Sequence, residues 1–156
     1  MNSDLTKVAA LLLTGVLPVS AVAEDYRVSH SVEITGAADN IWNRVGDFCD
    51  IDDWHPGITS CALKSETGGV HRLITVGDAK VLEKLVASEP GLSYTYSIVS
   101  SPFPFERYTA TLSITRGTPN TITWSGRFKS EDPDMEQAIM ELYKTGLAAI
   151  ESATTE

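Results

Sequence analysis

Two segments in the C-terminal half of the chain alternate strictly between apolar and polar residues. Residues 108–115 place tyrosine, alanine, leucine and isoleucine on one side and only threonine and serine on the other, and residues 121–128 repeat the arrangement. A period of two residues is typical of a β-strand with one buried and one hydrated face. Both segments are therefore predicted to be strands of a sheet that buries a single face.

Turn-forming residues in the rest of the chain predict a series of β-hairpins. A first strand is predicted at roughly 26–35, and from Ile58 onward strands are separated by turn signals at 68–69, 77–78, 90–91, 102–104 and 117–120. Between strand 1 and Ile58 we expect two short helices. The first begins with Asp39 as its capping residue, and the second, around 49–54, ends at Pro56-Gly57.

The last segment changes to a helical period. From about 134 to 152, apolar residues recur every three or four positions: Met135, Ala138, Ile139, Leu142, Gly146, Leu147 and Ile150. The fold class predicted is therefore α+β, with a curved antiparallel sheet of about six to seven strands wrapped around one long C-terminal helix. A sheet of this shape leaves a gap beside the helix, where a small apolar ligand is expected to bind.

The N-terminus has the features of an export signal. Lys7 precedes an apolar run that ends in the small residues Ala21 and Ala23, which predicts a signal peptide over 1–23 and a mature domain over 24–156. The alternative is an uncleaved anchor helix, but the run is short for a bilayer and Pro18 interrupts it. We expect an exported, periplasmic protein with no stable membrane insertion of the mature chain.

Charge excludes one class of partner. The 156 residues carry 21 acidic and 12 basic side chains, a net charge of −9, and such a chain repels the phosphate backbone of a nucleic acid. We expect no nucleic-acid partner. The length suits one domain with one core.

Cys49 and Cys61 stand 12 positions apart. In an exported protein they could form a disulfide, and the alternative is a pair of small buried thiols. Together with His55 and His71 they lack a compact metal-ligand spacing, and no glycine-rich phosphate loop follows a strand. We therefore expect no metal and no cofactor.

The hairpin at Gly77-Asp78 places an ion pair on the apolar face. A two-residue turn brings Arg72 opposite Glu83 on neighbouring strands, among valines, isoleucines and leucines. If this face is the wall of the cavity, the pair would anchor a ligand. The alternatives are a structural salt bridge, or a register slipped by one residue that turns both side chains to solvent.

Aromatic residues supply the other candidates for ligand contact. Tyr94, Tyr96 and Tyr108 lie on the apolar faces of their strands, where each phenol offers a ring and one hydroxyl, although buried tyrosines are also common in plain cores. Trp54 and His55 end the short helical region and would hang over the mouth of the cavity. His55 is the candidate general base, against the ordinary interpretation of a surface histidine beside proline.

Several of these segments resemble one superfamily. The order of elements, residues 41–48, Trp54-His55-Pro56, Arg72, the segment 83–85 and residues 124–128 are similar to the helix-grip (SRPBCC or START-like) superfamily. It includes lipid-transfer START domains, the birch-pollen allergen (Bet v 1-like) family, plant abscisic-acid receptors and the polyketide cyclase/dehydrase and lipid transport group. The resemblance implies that Arg72, Glu83, Tyr96 and Tyr108 line the pocket, and Trp124 lies in a matching segment.

These features favour an exported binder or carrier of a hydrophobic, aromatic or lipid-like molecule. Two other functions stay open. One is an enzyme of cyclase or dehydratase type that uses tyrosine and histidine as acid and base. The other is an accessory protein that binds a periplasmic enzyme, a role that the resemblance suggests because one exported bacterial relative is linked to methanol oxidation.

Overall fold

The computed structural model describes residues 22–154. The signal-peptide prediction for 1–23 falls almost wholly outside the described residues. The elements in chain order are β1 (Glu24–Ile34), α1 (Ala38–Val45), α2 (Ile51–Trp54), β2 (Ile58–Glu66), β3 (Gly69–Val76), β4 (Ala79–Glu89), β5 (Ser93–Ser100), β6 (Glu106–Thr115), β7 (Asn120–Ser130) and α3 (Met135–Thr154). The predicted α+β class is confirmed, with seven strands and two short helices after the first.

All seven strands form one antiparallel sheet in the order β1-β7-β6-β5-β4-β3-β2. Strands β2 to β7 follow one another as hairpins, and β1 closes the other end by pairing with β7 from Glu24↔Ser130 to Ile34↔Asn120. The outer face of β6 and β7 is polar, as the alternation predicts, and the hydroxyls of Thr95 on β5 and Thr111 on β6 lie 2.8 Å apart. The inner face therefore carries the core.

Helix α3 covers part of this inner face. Its 20 residues make it about 30 Å long, and it packs against β1 and β7. Its buried residues are Ile139, Tyr143, Gly146, Leu147 and Ile150, a stripe of spacing three and four. At Gly146 a Cβ atom would lie 2.5 Å from the His55 ring and 3.1 Å from the Trp124 ring, so glycine permits the close approach of the helix to both rings.

The start of α1 differs from the prediction. Its N-cap is Ala37, which makes no side-chain capping bond, and Asp39 lies inside the first turn of the helix. The Asp39 carboxylate accepts a hydrogen bond at 2.6 Å from the guanidinium of Arg116 on the β6–β7 loop. The expectation that Asp39 caps the helix is therefore wrong, because the carboxylate is held by a cation from another part of the chain.

A disulfide ties the helical segment to the sheet. Cys49, just before α2, is bonded to Cys61 on β2, with 5.6 Å between their Cα atoms. The backbone N–H of Cys61 also donates to the Asp52 carboxylate at 2.8 Å. Both contacts hold α2 against the edge strand. No helix within residues 22–154 has the length and apolar character needed to cross a membrane.

We predict that replacing both cysteines by serine lowers the free energy of unfolding by about 3 kcal/mol, because the bridge closes a short loop and restricts the unfolded chain. Urea unfolding of the wild type and of the Cys49→Ser/Cys61→Ser variant measures the difference. Dithiothreitol should destabilise the wild type by a similar amount and leave the variant unchanged. A variant as stable as the oxidised wild type would contradict the prediction.

Candidate functional site

An apolar cavity of about 210 Å³ lies between the inner face of the sheet and helix α3. Its lining comes from α2, from β2 to β7, from the β5–β6 loop and from the first half of α3. Most of it is aliphatic, for example Ile74, Val81, Ile98, Ile139 and Leu142. Because α3 packs towards β1 and β7, the inner faces of the middle strands are left uncovered beside the helix, and this gap is the cavity.

One side of the cavity is bounded by partly exposed groups. Phe103 and Phe105 from the β5–β6 loop contact each other at 5.9 Å between ring centroids, and both line the cavity with Met135 and the exposed Ala138 of α3. Phe105 also packs on the Tyr108 ring at 5.3 Å. We take this aromatic edge, formed by Phe103, Phe105, Met135 and Ala138, as the mouth of the cavity.

The Arg72–Glu83 ion pair is buried beside the cavity. The register pairs Arg72 with Glu83 across β3 and β4, and Arg72 Nε donates to Glu83 Oε2 at 2.6 Å. The side chains are 0% and 5% exposed. The alternative with a slipped register is therefore excluded. Of the residues that line the cavity, only Glu83 is charged, and Arg72 is not part of the lining.

Aromatic rings and a backbone carbonyl enclose the guanidinium. Arg72 Nη1 donates to the Phe48 carbonyl, and the guanidinium carbon lies 4.2 Å from the Phe48 ring centroid and 4.9 Å from that of Tyr96. Such cation–π contacts partly replace lost hydration. Within the described residues, Arg72 Nη2 and the Tyr94 hydroxyl have no hydrogen-bond partner.

Burial and charge act in opposite directions on the pKa values of the pair. Burial alone lowers the pKa of Arg72, but the Glu83 carboxylate and the neighbouring phenols outweigh it, so the pKa of the guanidinium is raised and the group stays charged. For Glu83, burial raises the pKa of the carboxyl above its usual range, although the Arg72 cation opposes the shift. The cavity wall therefore carries a carboxylate, that of Glu83, whose negative charge is poorly solvated and is stabilised by Arg72.

Phenols and an indole form a second polar cluster. Trp124 Nε1 donates to the Tyr96 hydroxyl at 3.1 Å, and the hydroxyls of Tyr108 and Tyr143 share a hydrogen bond of 2.6 Å. The Tyr143 ring stacks on Trp124 with centroids 4.4 Å apart. Burial raises the pKa of all three phenols. They therefore stay neutral at ordinary pH and act as hydrogen-bonding groups.

Tyr143 was not among the residues predicted from the sequence. It is fully buried, and it joins α3 to both Tyr108 and Trp124. A signal for it existed, since it lies four residues after Ile139 and four before Leu147 on the buried stripe. The predicted stripe consists of aliphatic residues and glycine only, and it does not include this tyrosine.

His55 is buried, 1% exposed, unlike the surface histidine of the ordinary interpretation. Its Nδ1 accepts from the Gly57 N–H at 3.0 Å, and its Nε2 lies 3.0 Å from the Leu142 carbonyl, which can only accept. These partners define a neutral imidazole with the proton on Nε2. Burial lowers the pKa of His55. With both nitrogens bonded to backbone, the ring connects α2 to α3 and has no nitrogen free to act as a base.

The structure thus divides the predicted ligand contacts into two groups. Glu83, Tyr96, Tyr108 and Trp124 line the cavity. Trp54, His55, Arg72 and Tyr94 lie outside its lining: Trp54 packs edge-on against Trp124 at 5.7 Å, and Tyr94 packs against Phe48 at 5.7 Å. This second group surrounds and supports the wall.

A curved antiparallel sheet that grips one long helix across an apolar cavity defines the helix-grip class, the Bet v 1-like fold. Residues 25–154 match the model of the polyketide cyclase / dehydrase and lipid transport family, and the chain belongs to that family. A sequence search of curated proteins returns no match.

Solved structures with the same fold come from bacteria and plants. The protein XoxI from Bacillus cereus is 30% identical, with a TM-score of 0.77 over 83% of this chain and 96% of its own. An uncharacterized protein from Bacillus thuringiensis is 29% identical, with a TM-score of 0.76 over 84% and 100%. The major latex-like protein 151 from Panax ginseng is 14% identical, with a TM-score of 0.69 over 83% and 97%, and shows a similar fold.

We predict that Arg72→Met lowers the free energy of unfolding by about 3–5 kcal/mol, because it leaves the Glu83 carboxylate buried without a counterion. The double variant Arg72→Met/Glu83→Leu should recover most of the loss. Chemical denaturation of the three proteins provides the comparison. As a control, Arg116→Met removes an exposed ion pair and should change stability little. If the double variant is as unstable as Arg72→Met, the unpaired charge of Glu83 is not the cause of the loss, and the prediction is wrong.

We predict that His55 makes stability depend on pH. Since burial lowers its pKa in the folded state, the unfolded chain binds the proton more readily, and stability falls as pH drops below about 6.5, the unfolded value. His55→Gln should be less stable at pH 7.5 but lose less between pH 6.5 and 5. Urea unfolding of the wild type and of His55→Gln across this pH range tests the prediction. Parallel curves for wild type and His55→Gln would refute the assignment.

Proposed function

We propose that this chain is an exported protein that binds and carries a small apolar or aromatic molecule in the cavity between the sheet and α3. The observation that carries the proposal is the cavity itself: about 210 Å³ of space lined by aliphatic and aromatic side chains, with few polar groups. Apolar pockets with a few well-placed polar groups are typical of small-molecule sites. The volume lies below the roughly 300–1,000 Å³ usual for drug-sized ligands, so the ligand is small.

Two observations support export. The N-terminal 23 residues have the pattern of a signal peptide, and Cys49 and Cys61 form a disulfide, a bond that persists in oxidising compartments such as the bacterial periplasm.

The geometry favours binding over cyclase or dehydratase chemistry. Catalysis by tyrosine and histidine needs a base that reaches the ligand. His55 has both nitrogens engaged by backbone groups and does not line the cavity. Tyr96 and Tyr108 do line it, but burial raises the pKa of each phenol, which suits a hydrogen-bond donor better than a base.

Native mass spectrometry of the protein isolated from the envelope fraction of its own host tests the proposal. We expect an intact mass that lacks residues 1–23, and an apolar small molecule that is released on denaturation and can be identified. A full-length chain would contradict cleavage of a signal peptide and favour the uncleaved anchor helix. A protein that carries no ligand and binds neither naphthalene nor other small aromatic compounds would contradict the carrier function.

A matched pair of variants locates the bound molecule. Ala138→Trp places a large ring at the mouth of the cavity and should reduce naphthalene binding at least tenfold in calorimetric titration. Ala148→Trp puts the same ring on an exposed position of the same helix, away from the cavity, and should bind as the wild type does. Equal binding by both variants would place the ligand elsewhere.

A further inference from the structure

We infer that the ligand of this cavity carries a neutral hydroxyl group, which accepts a hydrogen bond from Tyr96 and donates one to Glu83. This inference rests on the proposed function and specifies the class of ligand. It starts from two groups on the cavity wall whose hydrogen-bonding capacity is only half used.

The first group is the Tyr96 hydroxyl. An indole N–H can only donate, so in the 3.1 Å contact Trp124 Nε1 is the donor and the Tyr96 oxygen the acceptor. The proton of Tyr96 itself then has no acceptor among residues 22–154. Because Tyr96 lines the cavity and its pKa is well above the ordinary value, it presents a donor to the ligand.

The second group is the Glu83 carboxylate. Arg72 Nε engages Oε2 at 2.6 Å, while Oε1 has no hydrogen-bond partner within the described part of the chain. Glu83 also lines the cavity, so it presents an acceptor. A carboxylate oxygen on a cavity wall is costly to leave unpaired once a ligand excludes water from it.

The two groups are neighbours, because both contact the same guanidinium. Arg72 is bonded to Glu83, and its guanidinium carbon lies 4.9 Å from the Tyr96 ring centroid. Glu83 and Tyr96 also stand on the adjacent strands β4 and β5. The register pairs Glu83 with Ile98 and Tyr96 with Leu85. Glu83 and Tyr96 are therefore diagonal neighbours, and the wall carries the donor and the acceptor on adjacent strands.

A ligand hydroxyl can satisfy both Tyr96 and Glu83: its oxygen accepts a hydrogen bond from Tyr96, and it donates its proton to a hydrogen bond with Glu83. An ether or ketone oxygen accepts from Tyr96 but leaves Glu83 without a donor. A carboxylate is repelled, since Glu83 is the charged residue of the lining. Arg72 is not part of the lining: its Nε and Nη1 donate to Glu83 and to the Phe48 carbonyl, and its Nη2, which has no partner among the described residues, is buried away from the cavity space. Each unmade hydrogen bond to a charged group is expected to cost about tenfold or more in affinity.

The remaining wall suits an aromatic skeleton. Trp124, Tyr108 and Phe105 line the same cavity as Tyr96 and Glu83, and rings prefer edge-to-face or offset-stacked contacts with other rings. Small hydroxylated aromatic compounds are therefore the class that fits both the polar pair and the apolar surface.

Calorimetric titration at pH 7 with four probes of one skeleton tests the inference: naphthalene, 2-methoxynaphthalene, 2-naphthol and 2-naphthoate. We expect 2-naphthol to bind about tenfold or more tightly than 2-methoxynaphthalene, and 2-naphthoate to bind more weakly than naphthalene. If naphthalene binds but 2-naphthol shows no advantage, or if 2-naphthoate binds most tightly, the inference is overturned and the carrier function stands. If none of the four binds and the protein isolated from its host carries no ligand, both are overturned.

Variants identify the groups responsible. Tyr96→Phe should remove most of the preference for 2-naphthol over naphthalene, whereas Tyr94→Phe, which deletes a buried hydroxyl outside the cavity lining, should retain it.

Glu83→Gln alone leaves Arg72 uncompensated and is prone to unfold, so the paired variant Arg72→Gln/Glu83→Gln is used instead. In this variant the ratio of the affinities for 2-naphthol and 2-naphthoate should fall at least tenfold. Unchanged selectivity in Tyr96→Phe and in the paired variant would overturn the assignment.

Discussion

The structure depends on one geometric constraint: a seven-stranded sheet has a single apolar face, and one helix is too narrow to cover it. Helix α3 packs against β1 and β7, and α1, α2 and the loop with Phe48 close part of the remainder. The inner faces of the middle strands stay without a helix above them. The cavity is thus a consequence of covering a wide, curved sheet with a single long helix.

Polar groups in that uncovered region have to satisfy one another. Arg72 and Glu83 neutralise each other, aromatic rings and the Phe48 carbonyl enclose the guanidinium, and Trp124 donates to Tyr96. A purely apolar wall of the same volume would often be equally stable or more so. This wall instead holds a buried ion pair and two groups, on Tyr96 and Glu83, whose hydrogen-bonding capacity is only partly used. Functional sites depart from the rules of an ordinary core in this way.

Much of the fold could be predicted because it follows from local periodicity. Alternation identified β6 and β7, turn residues separated the hairpins, and the two-residue turn at Gly77 brought Arg72 opposite Glu83, as the structure confirms. The misses have specific causes. Asp39 has a residue type that favours helix N-caps, but its partner Arg116 lies far along the chain, and no local pattern indicates that ion pair. Tyr143 has the spacing of the buried stripe on α3, but its hydroxyl and ring partners, Tyr108 and Trp124, lie on distant strands.

The sequence by itself determined which residues share a face, since side-chain direction follows from the period of each strand and helix. It therefore predicted the sheet, the long helix and the apolar surface between them. Only the tertiary structure decided which of those residues reach the cavity: Glu83 does and Arg72 does not, and His55 is held between two backbone groups. The physical reason is that curvature and helix placement depend on packing between distant segments, which no local pattern encodes.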